Sequence, residues 1–157
     1  RPGDFQFSGD IVRSGKALPA EFTCDGAGVS PPVAWSNVPA GTKSLALAMH
    51  HVPPGDDKPH VYWVLTRIPA DTKGIGKDDR SVGVRGANTV NRNFGYAPPC
   101  SQGPGRKWYT LTLYALSKEP SIDGSGATRD AVLAAIRDSV IGTAVAHVSV
   151  ERTGGNR

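Results

Sequence analysis

The side chains of this 157-residue sequence that could support chemistry are four histidines, two cysteines and a lysine–tyrosine pair. His50, His51 and His60 flank a proline-rich stretch that carries Asp56 and Asp57. Two imidazoles and a carboxylate would suit a borderline metal such as zinc or copper. Successive strand residues point to opposite faces, so His50 and His51 cannot both serve one site, and no H-x-H pattern occurs. The plainer reading is three polar residues at strand ends.

Lys107 and Tyr109 lie two residues apart, hence on one face of a strand, beside Gly103-Pro104-Gly105. An ammonium, a phenol and glycine backbone N–H groups together suit a small anion of phosphate or carboxylate type. The alternative is a solvated strand-end lysine beside a packed tyrosine. Nucleophilic catalysis finds no support. There is no GxSxG elbow, since Gly124-Ser125-Gly126 reads as a turn, and neither cysteine has a histidine near it in sequence. No phosphate-binding P-loop and no dinucleotide fingerprint occur. The reading is of a non-enzymatic chain without a cofactor.

Cys24 and Cys100 fit no zinc knuckle and no CxxC redox site. They are two buried thiols or one disulfide. The start at Arg1 without Met reads as a processed terminus. That leans toward a bridge and toward a periplasmic or extracellular location over the cytoplasm.

The elements that must position these residues are mostly strands. Frequent Gly and Pro favour short strands joined by turns. Residues 5–12 alternate loosely as an edge strand, residues 21–23 read as extended, and 33–35 as a short strand. Residues 44–50, 60–67, 108–116 and 143–150 are expected as core strands of two packed antiparallel sheets. Residues 69–104 form a long irregular region, of the kind that often carries function. The clearest helix spans 128–141, capped by Thr128, with Val132, Leu133, Ile136 and Val140 on one face and Gly142 ending it in a left-handed turn. The tail around Thr153-Gly154-Gly155-Asn156 is expected to fray. One domain covers 1–157, with an ordered core over about 5–150.

The formal charge is +4, but the basic residues are scattered. No nucleic-acid-binding signature accompanies them, so a solvated surface is the reading. No apolar run approaches the roughly 20 residues needed to span a bilayer.

Several segments resemble the phosphatidylethanolamine-binding protein family in its bacterial, Raf-kinase-inhibitor-like branch. Phe22-Thr23-Cys24-Asp25-Gly26, Ser30-Pro31-Pro32 and Trp35 match an N-terminal FTCDG…SPPL.W pattern. Val38-Pro39-Ala40-Gly41-Thr42-Lys43-Ser44-Leu45-Ala46-Leu47 matches VPxGTKSLAL, and Ile68-Pro69-Ala70 matches an IPA step. Gly95-Tyr96-Ala97-Pro98-Pro99-Cys100 resembles GYxGPCPP, and Thr112-Leu113-Tyr114-Ala115-Leu116 matches TLYAL. The matches run in order from about Phe5 to Val150.

The resemblance implies an antiparallel β-sandwich with one or two peripheral helices and an anion pocket. It also implies phospholipid-headgroup binding, or inhibition of a kinase or protease by a secreted interaction module. A protein partner and a homodimer are both left open. It places Cys24 and Cys100 in loops at the pocket mouth and a cis bond at Ala97-Pro98 or Pro98-Pro99. The pocket itself departs from the pattern. The family's first aspartate falls near His51, its pocket histidine before Trp falls on Tyr62, and the histidine of its HRY falls on Lys107, while its tyrosine is kept as Tyr109. The expected site is therefore His51, Tyr62, Lys107 and Tyr109 with Gly95, Tyr96, Pro98 and Pro99. It is more basic than usual and takes a small anion or a phosphorylated ligand.

Overall fold

A computed structural model describes residues 4–52, 58–79, 81–90, 95–100, 105–120 and 127–152. The chain forms β1 (Gln6–Phe7), β2 (Val33–Ser36), β3 (Ser44–His51), β4 (His60–Pro69), β5 (Gly74–Ile75), β6 (Val84–Arg85), β7 (Gly105–Leu116), α1 (Arg129–Ile136) and β8 (Val140–Arg152). A five-stranded sheet runs β6-β4-β3-β7-β8 and a three-stranded sheet runs β1-β2-β5. Every strand pairing is antiparallel. All four predicted core strands fall in the larger sheet. The smaller one is built from strands of two to four residues.

Alternation decides which side chains enter the core. Leu45, Leu47 and Met49 of β3, Leu111 and Leu113 of β7, and Ala144, Ala146 and Val148 of β8 share one buried cluster with Trp35 and Ile75 of the small sheet. This is the sandwich interior. Ala46 on the opposite face of β3 packs with Val61, Val64, Leu116, Val132 and Ile136 under α1. The central strand is therefore apolar on both faces because it is covered on both.

Thr128 caps α1 as expected: its Oγ1 accepts from the Ala131 N–H at 3.2 Å, which is worth about 1 kcal/mol. The helix stops at Ile136, earlier than its apolar spacing suggests. The Ile136 carbonyl accepts from both the backbone N–H and the hydroxyl of Ser139, at 2.8 and 3.0 Å. Val140 then opens β8 opposite Leu116. Gly142 is inside that strand rather than at a helix end. A Cβ there would meet Pro39 Cγ at 2.9 Å, so close approach explains the glycine.

Other expectations change locally. The N-terminal strand is short because the chain leaves the sheet after Ser8 donates to the Ala34 carbonyl. Residues Ala20–Phe22 form a 3-10 turn instead of an extended piece. Buried Thr23 holds it, its hydroxyl donating to the Ala20 carbonyl while accepting from the Asp25 N–H. The long region after Pro69 contributes β5 and β6, which pair with β2 and β4. Among the described residues no peptide bond is cis, so the expected cis bond at Ala97-Pro98 or Pro98-Pro99 is not found. The loop is held in its trans form by backbone bonds on both sides, from Ala97 N–H to the Tyr62 carbonyl and from Cys24 N–H to the Pro99 carbonyl.

Candidate functional site

The site forms at one end of the large sheet, where β3, β4 and β7 lie side by side. His51 ends β3, with its Nδ1 2.8 Å from the Trp108 carbonyl of β7. Its ring lies 4.8 Å from that of Tyr109, and Tyr109 meets Tyr62 of β4 edge-on at 5.1 Å. Parity on β7 puts Lys107 on the same face as Tyr109. The two tyrosines are buried, whereas His51 and Lys107 are half-exposed.

Tyr62 reaches this place through an irregularity. The β3–β4 register shifts between Met49 and His50: Met49 pairs with Trp63, and His50 with Val61. Tyr62 is the extra residue, a β-bulge. Both Tyr62 and Trp63 consequently face the sandwich interior, while Val61 and Val64 face the helix. Without the bulge, two consecutive residues could not share a face.

The 95–100 loop closes one side. Gly95 has φ of 98° and donates to the Gly86 carbonyl. Ala97 donates to the Tyr62 carbonyl at 2.7 Å, which ties the loop to the bulge itself. The Tyr96 hydroxyl donates to the Phe22 carbonyl at 2.6 Å, and its ring stands edge-on to Trp63. Pro98 packs on Gly28, where a Cβ would come within 3.0 Å of Pro98 Cγ. Cys24 and Cys100 form a disulfide with Cα atoms 5.3 Å apart, and Cys24 N–H donates to the Pro99 carbonyl. Two loops distant in sequence are thus fastened together beside the tyrosines. Tyr96 belongs to that fastening, since its hydroxyl is engaged by backbone.

Electrostatics make the site a donor surface. Burial raises the pKa of Tyr62, and a hydrogen bond with Tyr109 opposes that only in part. Burial, then the nearby Tyr109, pushes the Tyr96 phenol far up. Both phenols stay protonated at neutral pH. None of His51, Tyr62, Lys107 and Tyr109 is acidic. Such a set can accept a negatively charged oxygen through an ammonium and one phenolic O–H, the other being taken by the Tyr62–Tyr109 hydrogen bond.

The histidines do not converge on a metal. His51 and His60 sit opposite each other across β3 and β4, but His50 lies on the other face of the sheet. Among the described residues no group of three or more His, Cys, Asp or Glu side chains could hold a metal ion. Asp56 and Asp57, the Gly103-Pro104 part of the glycine-rich turn, Gly124-Ser125-Gly126 and the 153–156 tail lie outside the described residues. Sequence reasoning missed Trp63 and the Phe22 carbonyl as parts of the site's frame. The bulge hid the first, and a backbone acceptor leaves no mark in a sequence.

A family model described as phosphatidylethanolamine-binding protein matches residues 8–151. A UPF0098 protein of Chlamydia trachomatis is 30% identical over 143 residues, covering 88% of this chain and 93% of its own. A UPF0098 protein of Methanothermobacter thermautotrophicus is 35% identical over 133 residues, covering 81% and 85%. A Mycobacterium tuberculosis protein described as a lipoprotein, LppC, is 32% identical over 107 residues, covering 68% of this chain and 52% of its own. Among solved structures, the phosphatidylethanolamine-binding protein homologue CT736 of Chlamydia trachomatis superposes with a TM-score of 0.87 at 28% identity, over 96% of this chain and 99% of that one. Escherichia coli YbcL, a member of the mammalian PEBP family, gives 0.83 at 25% identity, over 95% and 99%.

Proposed function

The chain belongs to the phosphatidylethanolamine-binding protein family, and we propose that it is a non-enzymatic binding protein that takes a small phosphate- or carboxylate-type anion between His51, Tyr62, Lys107 and Tyr109. The observation that carries this reading is the meeting of the His51, Tyr62 and Tyr109 rings from three strands, on the face of β7 that bears Lys107. Four positions without an acidic side chain favour an anion. They disfavour a zwitterionic ethanolamine headgroup, whose ammonium would need a carboxylate partner. We place the protein in an exported, oxidising compartment. The cystine supports that, since disulfides persist there, and the relative described as a lipoprotein agrees.

The test is to titrate phosphate and acetate into wild type and Lys107→Ala while following the Tyr62 and Tyr109 ring resonances by NMR. A charge-assisted hydrogen bond is worth about 1.5–3 kcal/mol, so Lys107→Ala should weaken binding by about ten- to a hundredfold. Equal affinities in the two proteins, or tyrosine rings that ignore both anions, would end the proposal.

A further inference from the structure

The face of the large sheet turned away from the tyrosines carries a second cluster. His50 of β3 pairs with Thr110 of β7, and Thr110 pairs with His147 of β8. The three side chains therefore stand in a row across three strands, on one face. Thr110 Oγ1 and His147 Nδ1 are 3.0 Å apart. Arg129, the first residue of α1, lies close enough to act on His50 electrostatically. Val61 of β4 is apolar and flanks His50 on the remaining side.

Two atoms in this cluster are out of place for a finished structure. His50 Nδ1 and Arg129 Nε are both buried without a hydrogen-bond partner. Buried polar atoms are almost always paired, so each orphan needs an explanation. The charged neighbours of His50 are Arg129, His51 and His147, and among the described residues no carboxylate acts on it. Among the described residues, the half-buried Arg129 guanidinium acts on His50, keeps its Nε unused and has no carboxylate as counter-ion, so the set lacks an acceptor that carries negative charge.

We propose that the row His50–Thr110–His147, with Arg129, is a second anion site on the outer face of the sheet, and that it takes a tetrahedral oxyanion of phosphate type. The donors come from three strands and a helix, so they approach from several directions. A planar carboxylate offers two oxygens in one plane, whereas a tetrahedral group offers enough acceptors spread in space. His147 is exposed and Thr110 partly so, which leaves the row open to solvent. Trp108, two residues from Thr110 on the same face of β7, is 44% exposed and could cover an organic group attached to the anion. The site is independent of the one at Tyr62 and Tyr109, because the sheet separates them.

The experiment follows the His50 and His147 imidazoles by NMR while sulfate replaces chloride at constant ionic strength. Sulfate keeps its charge between pH 4 and 8, so any pH dependence belongs to the protein. Bound sulfate should shift both rings saturably and raise the His50 titration midpoint by about one unit or more, since a nearby anion favours the charged imidazole. Arg129→Gln and His147→Gln, at partly exposed and exposed positions, should each weaken binding by about tenfold. Lys107→Ala should leave these shifts in place, which separates this site from the other. Inorganic phosphate and phenyl phosphate then distinguish the source. Tighter phenyl phosphate marks an ester group beside Trp108, equal binding marks the free ion, and either supports the site. A His50 titration curve that is the same in sulfate and chloride, or full binding in Arg129→Gln, would overturn it.

Discussion

Replacing the cystine by two serines, Cys24→Ser with Cys100→Ser, should cost this protein several kilocalories without dismantling its site. The bridge spans a sequence separation of 76 residues. In the chain-entropy account a loop of that length restricts the unfolded chain by about 15 cal/mol/K, or about 4.5 kcal/mol at room temperature. A domain of 157 residues unfolds with an entropy of about 0.33 kcal/mol/K. The expected fall in Tm is therefore about 14 °C. Two ties between the same loops survive the exchange, Cys24 N–H to the Pro99 carbonyl and the Tyr96 hydroxyl to the Phe22 carbonyl, and Ala97 N–H still holds the 95–100 loop to the Tyr62 carbonyl. The Tyr62 and Tyr109 ring resonances should thus keep their native positions well below the transition. Calorimetry of wild type and the double variant gives the first quantity and NMR the second. A loss below about 1.5 kcal/mol would mean that the unfolded chain is already compact where the bridge acts. Collapse of the tyrosine resonances at low temperature would mean that these three hydrogen bonds do not hold the loops alone.

Two further outcomes are expected. Burial, then Arg129, His51 and His147, lowers the His50 pKa from its ordinary 6.5 to about 4. The unfolded chain therefore binds the extra proton first, and stability is lost as pH falls from 6.5 toward 4. The full shift corresponds to about 3.4 kcal/mol, but His50 is only partly buried, so ~1–2 kcal/mol is expected. Denaturant titrations of wild type and His50→Gln across that window, in buffer free of sulfate and phosphate, should diverge by this amount, and parallel curves would refute it. Gly142→Ala puts a Cβ 2.9 Å from the Pro39 ring and should destabilise by about 1–3 kcal/mol. Chemical denaturation measures it, and an unchanged midpoint would mean that the 39–42 turn yields freely.

What could be read from the sequence depended on the kind of signal each element leaves. The long strands showed themselves because buried faces impose alternation, as in Thr110 to Leu116, where Leu111, Leu113 and Ala115 turn inward. The helix was overextended because Val140 keeps helical spacing from Ile136, while the stop lies in Ser139, whose competing bonds have no periodicity. The meeting of Lys107, Tyr109, Tyr62 and His51 on one face came from family resemblance, not from pattern. Alternation alone would have sent Tyr62 and Trp63 to opposite faces. The His50–Thr110–His147 row was illegible, because the register that joins residues 97 positions apart is set by packing across the sheet.

The bulge at Tyr62 has a consequence for how this molecule can change over time. In a regular strand every side chain is phase-locked to its neighbours, so adding or removing one residue turns the whole element inside out. The extra residue in β4 acts as a phase break. Upstream of it, the His60–Val61 end can gain or lose a residue and re-aim what it presents. Downstream, Leu65 and Ile68 keep their places in the core. Deleting Tyr62 should therefore give a folded protein with the bulge erased and one phenol lost from the site, Val61 keeping its place on the helix face. Variation in chemistry at this end of the sheet is thus compatible with an unchanged core further along the same strand.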